Sequence, residues 1–240
     1  MTRPHFSKGS LYTPKLPYDY LMSKYPWTGW WKLNEANGTN GAYDSSGNNN
    51  TGIYGNSNIE YGIPGPITGD TAVALQNAPG GIATPVILHS EIGLTAIAWF
   101  QYLPTYWAPA LITTGDVYHT SLGMNFLNGW LSGGPLFQAY GYEGASMLAL
   151  FPPNDNSWYM LALAIGTNGI DFTAKAYING AVRGSASGPN GTPVTPSTNP
   201  FLIGEPYGAD SWYIGNVAQV AVGDGLTLTD SDISNLWLAA

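Results

Sequence analysis

Fifteen carboxylates, three histidines and a large stock of loop aromatics are the side chains of this 240-residue sequence that could act on another molecule. Glycoside cleavage uses carboxylates in pairs: one protonates the leaving oxygen while the other attacks or activates water. Two acids a couple of residues apart on one strand face would supply such a pair. Glu35, Glu60, Glu91, Glu143 and Glu205 have no Asp at that spacing. Asp230 and Asp232 are close together, but they follow Thr229, where helix capping explains them. His5, His89 and His119 come with no G-x-S-x-G elbow, and the chain holds no P-loop and no G-x-G-x-x-G. Cysteine is absent, which excludes disulfides and thiolate metal sites. These residues predict a protein that is not an enzyme and carries no cofactor motif.

Binding chemistry is better represented. Sugars stack on exposed rings while amides and acids fix their hydroxyls. Tyr106, Trp107, Tyr118, Trp130, Tyr142, Tyr207 and Trp212 fall in turn-rich stretches and are the saccharide-binding candidates. The competing assignment for each is burial in the core or in a subunit contact. Calcium takes several oxygen ligands, and Asp44, Asn48 and Asp70 are the candidates for such a site. The alternative for Asp44-Ser45-Ser46-Gly47 is an Asx-turn, its carboxylate accepting backbone N–H groups. Asn37, Asn49 and Asn190 open glycosylation sequons that read here as turns.

The elements that must position these residues are strands. Ser157 to Ile165 is apolar on both faces, as a buried central strand would be. Ile170 to Ile178 alternates, with Phe172, Ala174 and Ala176 on one face and Asp171, Thr173, Lys175 and Tyr177 on the wet one. Asn179-Gly180 opens the next turn, where positive φ is tolerated. Further strands are predicted at 28–35, 53–54, 72–76, 94–103, 111–114, 121–127, 136–140, 147–151, 201–204 and 213–222. The 31 Gly and 18 Pro, about a fifth of the chain, supply the turns between them. The stretch through Pro64 and Pro66 and the Ser185 to Pro200 segment read as loops. Thr229 caps one short helix running to about Leu238. Nearly helix-free strand spacing of this kind predicts an all-β, two-sheet antiparallel jelly-roll sandwich over residues 27–240.

Residues 1–26 differ. Pro4, Pro14, Pro17 and Pro26 forbid a long helix, yet the segment is rich in aromatic and apolar side chains. It is expected to be an extended arm laid on another surface. Arg3, Phe6, Lys8, Leu11, Tyr12, Lys15, Leu16, Tyr18, Tyr20 and Lys24 are its partner-binding candidates. The formal net charge of −8 is unevenly placed. The arm's four cations face only Asp19, whereas Lys32, Lys175 and Arg183 face the other fourteen acids. A basic arm on an acidic body points to an anionic partner for the arm and argues against nucleic acid on the body. No apolar run reaches the roughly 18 residues of a membrane span, and the N-terminus lacks the apolar region of a secretory signal.

Six motifs in order resemble the concanavalin A-like jelly roll, in particular its laminin-G/pentraxin-like group. They are WKLNE at Trp31 to Glu35, YDSSGNNNTG at Tyr43 to Gly52, LTAIAWF at Leu94 to Phe100, SWYMLALA at Ser157 to Ala164, AYING at Ala176 to Gly180, and FLIGEP with YIGNVAQVAV and LTLTDSDI at the end. The resemblance implies glycan binding, adhesion, glycan cleavage or structural duty in virions, and for some members a calcium ion at the sandwich rim. The family's Asp-Glu after the G-x-I is replaced by Ala218-Gln219. Together with the missing signal, cysteines and catalytic pair, this leads to the reading of a virion structural protein. It would decorate a capsid or attach to a tail or fibre, anchored by residues 1–26 to other virion proteins and assembled as a homo-oligomer on the virion surface or outside the cell. A module that binds surface glycans is the alternative, and a glycan hydrolase or lyase the third reading.

Overall fold

The computed structural model describes residues 16–55, 58–76, 80–89, 93–102, 110–113, 123–127, 136–142, 145–150, 156–167, 171–189, 199–204 and 213–240. The first elements are α1 (Tyr18–Met22), β1 (Gly29–Trp31), β2 (Gly41–Ala42), β3 (Gly52–Tyr54), β4 (Ile59–Pro64), β5 (Thr71–Leu75) and β6 (Ile82–Ala83). The middle of the chain forms β7 (Gly93–Tyr102), β8 (Ala110–Thr113), β9 (Gly123–Leu127), β10 (Leu136–Tyr142) and β11 (Ala145–Leu150). It closes with β12 (Trp158–Thr167), β13 (Asp171–Ile178), β14 (Ala181–Pro189), β15 (Leu202–Ile203), β16 (Gly215–Asp224) and α2 (Asp230–Ala239). All paired neighbours are antiparallel. One sheet runs β14-β13-β12-β7-β16-β5-β4, with β1 also on β16, and the other β11-β10-β9-β8-β15-β6-β3-β2. The expected all-β sandwich with a short closing helix is the observed architecture.

The core lies between the sheets. Leu94, Ala96, Ala98 and Phe100 of β7 and Tyr159, Leu161, Leu163 and Ile165 of β12 point into it, against Tyr54, Ile82, Ile112 and Ile203 from the other sheet. Trp31 stacks on Phe201 at its centre, with ring centroids 5.7 Å apart. The opposite faces of β7 and β12 are buried too, which is why both strands are apolar throughout. Ile97, Trp99, Met160, Ala162 and Ala164 pack under the two helices together with Ala218 and Ala221 of β16. These alanines let the helices approach the sheet closely. The molecule is therefore a sandwich with a third, helical layer on one outer face.

That layer accounts for two departures from the sequence reading, and sheet edges and one backbone turn account for the others. Residues 18–22 form one helical turn rather than an extended arm; Pro17 precedes its first residue, and proline is tolerated at a helix start. Tyr18 and Met22 are 1% and 0% exposed, under the body's own sheet face. Tyr177, assigned above to a wet face, is 1% exposed because α2 lies over it. Two segments read as loops are strands at sheet edges: β4 ends at Pro64 on the outermost strand, where proline is tolerated, and β14 pairs Ser185 with Lys175. The predicted first strand stops at Trp31, because Leu33 turns to φ +61 and drops its side chain into the core.

The closing helix is pinned at its start. Thr229 and Asp232 form a capping box, and Asp232 accepts a bond from the Tyr25 hydroxyl at 3.1 Å. Burial and the Asp232 carboxylate push the Tyr25 phenol up to about 12. Asp230 takes two bonds from Lys175, at 2.7 and 2.9 Å, and one from Tyr177 at 2.8 Å. The Lys175 bond, then the Tyr177 bond, hold the Asp230 carboxyl below its ordinary value. A depressed folded-state value means that its stabilisation is present above the unfolded value and is lost as pH falls through the folded one. Asp230 is exposed, so Asp230→Asn is expected to cost less than ~1 kcal/mol at neutral pH. Thermal melts should show that difference shrinking as pH falls through and below the ordinary carboxylate range; a difference that grows toward acid would contradict the assignment.

Candidate binding surfaces

Of the arm's candidates, Arg3, Phe6, Lys8, Leu11, Tyr12 and Lys15 lie outside the described residues. Tyr18 is not free for a partner: it is buried, and its hydroxyl accepts the Trp99 indole N–H at 3.1 Å. Burial pushes its phenol well above the ordinary value. Leu16 and Tyr20 are exposed, and Lys24 lies 4.4 Å from the centre of the Tyr20 ring. Among the saccharide candidates, Tyr142 is the last residue of β10, whereas Tyr106, Trp107, Tyr118, Trp130, Tyr207 and Trp212 fall outside the described residues.

The three calcium candidates do not converge on one point: Asp44 and Asn48 share a loop and the Ser46 hydroxyl, and Asp70 lies apart from them. The Asp44 carboxylate accepts bonds from the backbone N–H groups of Trp30, Ser46 and Asn50 and from the Ser46 hydroxyl, all within 3.0 Å. This is the Asx-turn alternative, with both oxygens facing hydrogen-bond donors. Asn48 donates from the same loop to the carbonyls of Trp27 and Thr28. Asp70 belongs elsewhere, bonded to Asn34, Thr71 and Gln219. Among the described residues no group of three or more acids and histidines is placed to hold a metal ion.

Asp70 sits at the end of a buried polar relay. The Trp30 indole N–H donates to the Gln219 amide oxygen at 2.9 Å, and the Gln219 amide nitrogen donates to Asp70 Oδ2 at 2.6 Å. Gln219 is fully buried and has φ +50. It occupies a bulge in β16, between the segment paired with β5 and the segment paired with β1. Its own N–H donates to the carbonyl of Lys32. Asp70 opens on a cleft of about 530 Å³ that α1 and its approach, the end of β1, the 67–70 turn and the last turn of α2 surround. In that cleft Lys32 pairs with Asp19 at 2.5 Å and lies 5.0 Å from the centre of the Trp30 ring. Asn34 donates to Asp70 Oδ1 at 2.7 Å.

A second surface lies at the edge of the other sheet. Tyr43 is 60% exposed, and a Cβ added to Gly41 would sit 3.6 Å from its ring. Its N–H donates to Glu35 Oε1 at 2.7 Å, while Glu35 Oε2 takes the Tyr54 hydroxyl at 2.6 Å. Burial, and next the Glu35 charge, push the Tyr54 phenol far above its ordinary value, so that it stays a donor. Gly41 pairs with Ile53, which is 65% exposed, and the Thr51 methyl would lie 3.2 Å from the same added Cβ. Ala83, the cross-strand partner of Ile53, is also exposed, as are Pro85 and Ile87.

Residues 68–234 match the family model of the concanavalin A-like lectin/glucanases superfamily. The chain belongs to this superfamily. Comparison with curated proteins by sequence returned no match. Among solved structures it is similar to domain 4 of AbnA, a GH43 extracellular arabinanase from Geobacillus stearothermophilus solved with arabinotriose. The TM-score is 0.57 at 20% identity, over 88% of this chain and 97% of that one. It is also similar to Trypanosoma rangeli sialidase in complex with sialic acid, with a TM-score of 0.63 at 15% identity over 89% of this chain. The binding domain of Paraclostridial Mosquitocidal Protein 1 gives 0.61 at 14% over 87% of this chain. The chain spans about a third of the sialidase and half of the Paraclostridial chain. At these identities the similarity is one of fold.

Within the superfamily frame, the family match begins at residue 68, so the cleft's α1 and β1 walls lie before it. Sequence reasoning missed Lys32, Asn34 and Gln219, and it missed Tyr43 as a platform. Lys32 and Asn34 sit in a segment that reads as plain strand. Gln219 did carry a signal: it stands where the family pattern has an acid.

Proposed function

We propose that this chain is a carbohydrate-binding module that presents the edge of its second sheet, around Tyr43, to a glycan. The observation that carries this reading is the unequal fate of the two outer faces. One is closed by the chain's own helices, with Tyr18, Met22, Ile233 and Leu236 buried against it. The other keeps a tyrosine ring open at the Gly41–Ile53 edge, its backbone tied to Glu35. An exposed ring on a backbone anchored in this way offers an apolar face to sugar C–H groups. Membership of a lectin and glucanase superfamily supports the reading, as does a similar domain solved with arabinotriose. The close acids Asp230 and Asp232 are committed to the start of α2, which supports binding over cleavage in this reading.

A glycan array probed with the wild-type chain and with Tyr43→Ala tests this. Selective binding is expected, weakened about tenfold or more in the variant. Silence across the array, or a variant that binds as well as wild type, would refute it.

A further inference from the structure

The cleft beside α1 is a built site that the Tyr43 surface does not use. We infer that it binds a neutral polyhydroxylated ligand, of the chemical class of a one- or two-unit saccharide or polyol. The inference rests on the reading that the chain binds carbohydrate but concerns a separate place on it.

Three observations converge. The first is the relay behind Asp70. A non-glycine residue at φ +50 is a strained arrangement that surrounding structure must hold in place. Bulges are commonly found where a side chain must be re-aimed next to a site. Here the bulge buries a glutamine in an otherwise apolar layer, and its amide is spent on fixing Asp70 Oδ2. Asp70 is thus preorganised at the cleft by a fully buried partner.

The second is the inventory of unspent hydrogen-bonding capacity. Asp70 takes three donors, which leaves one of its roughly four lone-pair sites. Asn34 uses one amide N–H on Asp70 and keeps its oxygen and second N–H. Lys32 uses one N–H on Asp19 and keeps two. The cleft therefore offers both donors and acceptors, and Ile67 and Leu16 add apolar surface. A sugar, whose hydroxyls both give and accept and whose ring faces are apolar, matches that mixture.

The third is charge and size. The side chains of Asp19, Asp70 and Lys32 sum to −1, which disfavours an anionic ligand. Lys32 is paired with Asp19 and Asp70 already takes three neutral donors, so both charges are partly satisfied before any ligand arrives. A volume of about 530 Å³ falls within the ordinary range for small-molecule sites.

The test is amide NMR of the full chain titrated with arabinotriose and, separately, maltotriose, in wild type, Tyr43→Ala and Asn34→Ala. Shifts at Asn34, Thr68 and Gly69 are expected to saturate, to survive in Tyr43→Ala, and to need at least tenfold more ligand in Asn34→Ala. Lys32→Met serves as a second cleft variant with the same expectation. Shifts confined to the Tyr43 edge and lost in Tyr43→Ala would overturn the cleft and leave the proposed function standing. Cleft shifts without any at Tyr43 would support the cleft and overturn the Tyr43 surface. No shifts with either sugar would overturn both.

Discussion

A chain that begins at Trp27 is expected to melt at least ~10 °C below one that begins at Leu16, or to be recovered insoluble. The segment between them looks dispensable as sequence, since it precedes the sandwich, but it supplies part of the third layer. Tyr18 and Met22 are completely enclosed, and burying two side chains of this size contributes ~3–6 kcal/mol. Their removal also strips the cover from Trp99 and Trp30 and deprives two indoles of acceptors. Trp99 donates to the Tyr18 hydroxyl at 3.1 Å, and Trp27 donates to the carbonyl of Met22 at 2.9 Å. Ordinary domains have ~5–15 kcal/mol of stability in total. A melting difference under ~3 °C between the two truncations would show that the helical turn is incidental. The comparison also redirects the particle-anchoring expectation. Deleting residues 1–26 would destabilise the body itself, so its effect could not be assigned to an anchoring role of the arm. Deleting residues 1–15 removes Arg3, Lys8 and Lys15 and leaves every contact described above in place, so that truncation is the one to test against a particle.

Gln219→Leu is expected to destabilise the fold by ~2–4 kcal/mol, a large effect for one side chain. Leucine fills a similar volume, so lost packing is a minor part. The cost comes from the groups left behind. The Trp30 indole N–H loses its acceptor inside the layer, where Trp30 is 4% exposed, and Asp70 Oδ2 loses its 2.6 Å donor. The stranded indole N–H costs ~1–3 kcal/mol, and Asp70, which opens on the cleft, costs less. The strain of φ +50 is carried by glutamine and leucine alike and adds little to the difference. Gln219→Asn is expected to fall between the two, since asparagine tolerates the left-handed region but is one methylene shorter. Denaturant melts would decide; a leucine variant as stable as wild type would mean that the relay is ornamental and would weaken the case for the cleft behind it.

The elements that were legible in the sequence are those set by local rules. β12 and β13 lie within two residues of their predicted ends, because period-two alternation and the Asn179-Gly180 turn are properties of adjacent residues. Asn179 and Gly180 have φ +52 and +76, as that pair of residues suggests. The start of α2 was readable for the same reason, since Thr229 and Asp232 form their capping box within one turn. The Asp44 loop was half readable: its Asx-turn is local, but the choice between turn and ion depended on Trp30, which closes onto it from another strand.

Sequence alone determined that this chain is a two-sheet antiparallel sandwich, where most of its strands lie and where its last helix begins. Those features depend on side-chain alternation, turn residues and caps, whose interactions span a few positions. Only the tertiary structure decided that Tyr18 and Met22 belong to the body, that Tyr177 is covered, and that Gln219 serves Asp70. Gln219 stands 149 residues from Asp70 and 189 from Trp30. Nothing in the neighbourhood of any of the three signals the others, because a hydrogen bond recognises distance in space and is indifferent to separation along the chain.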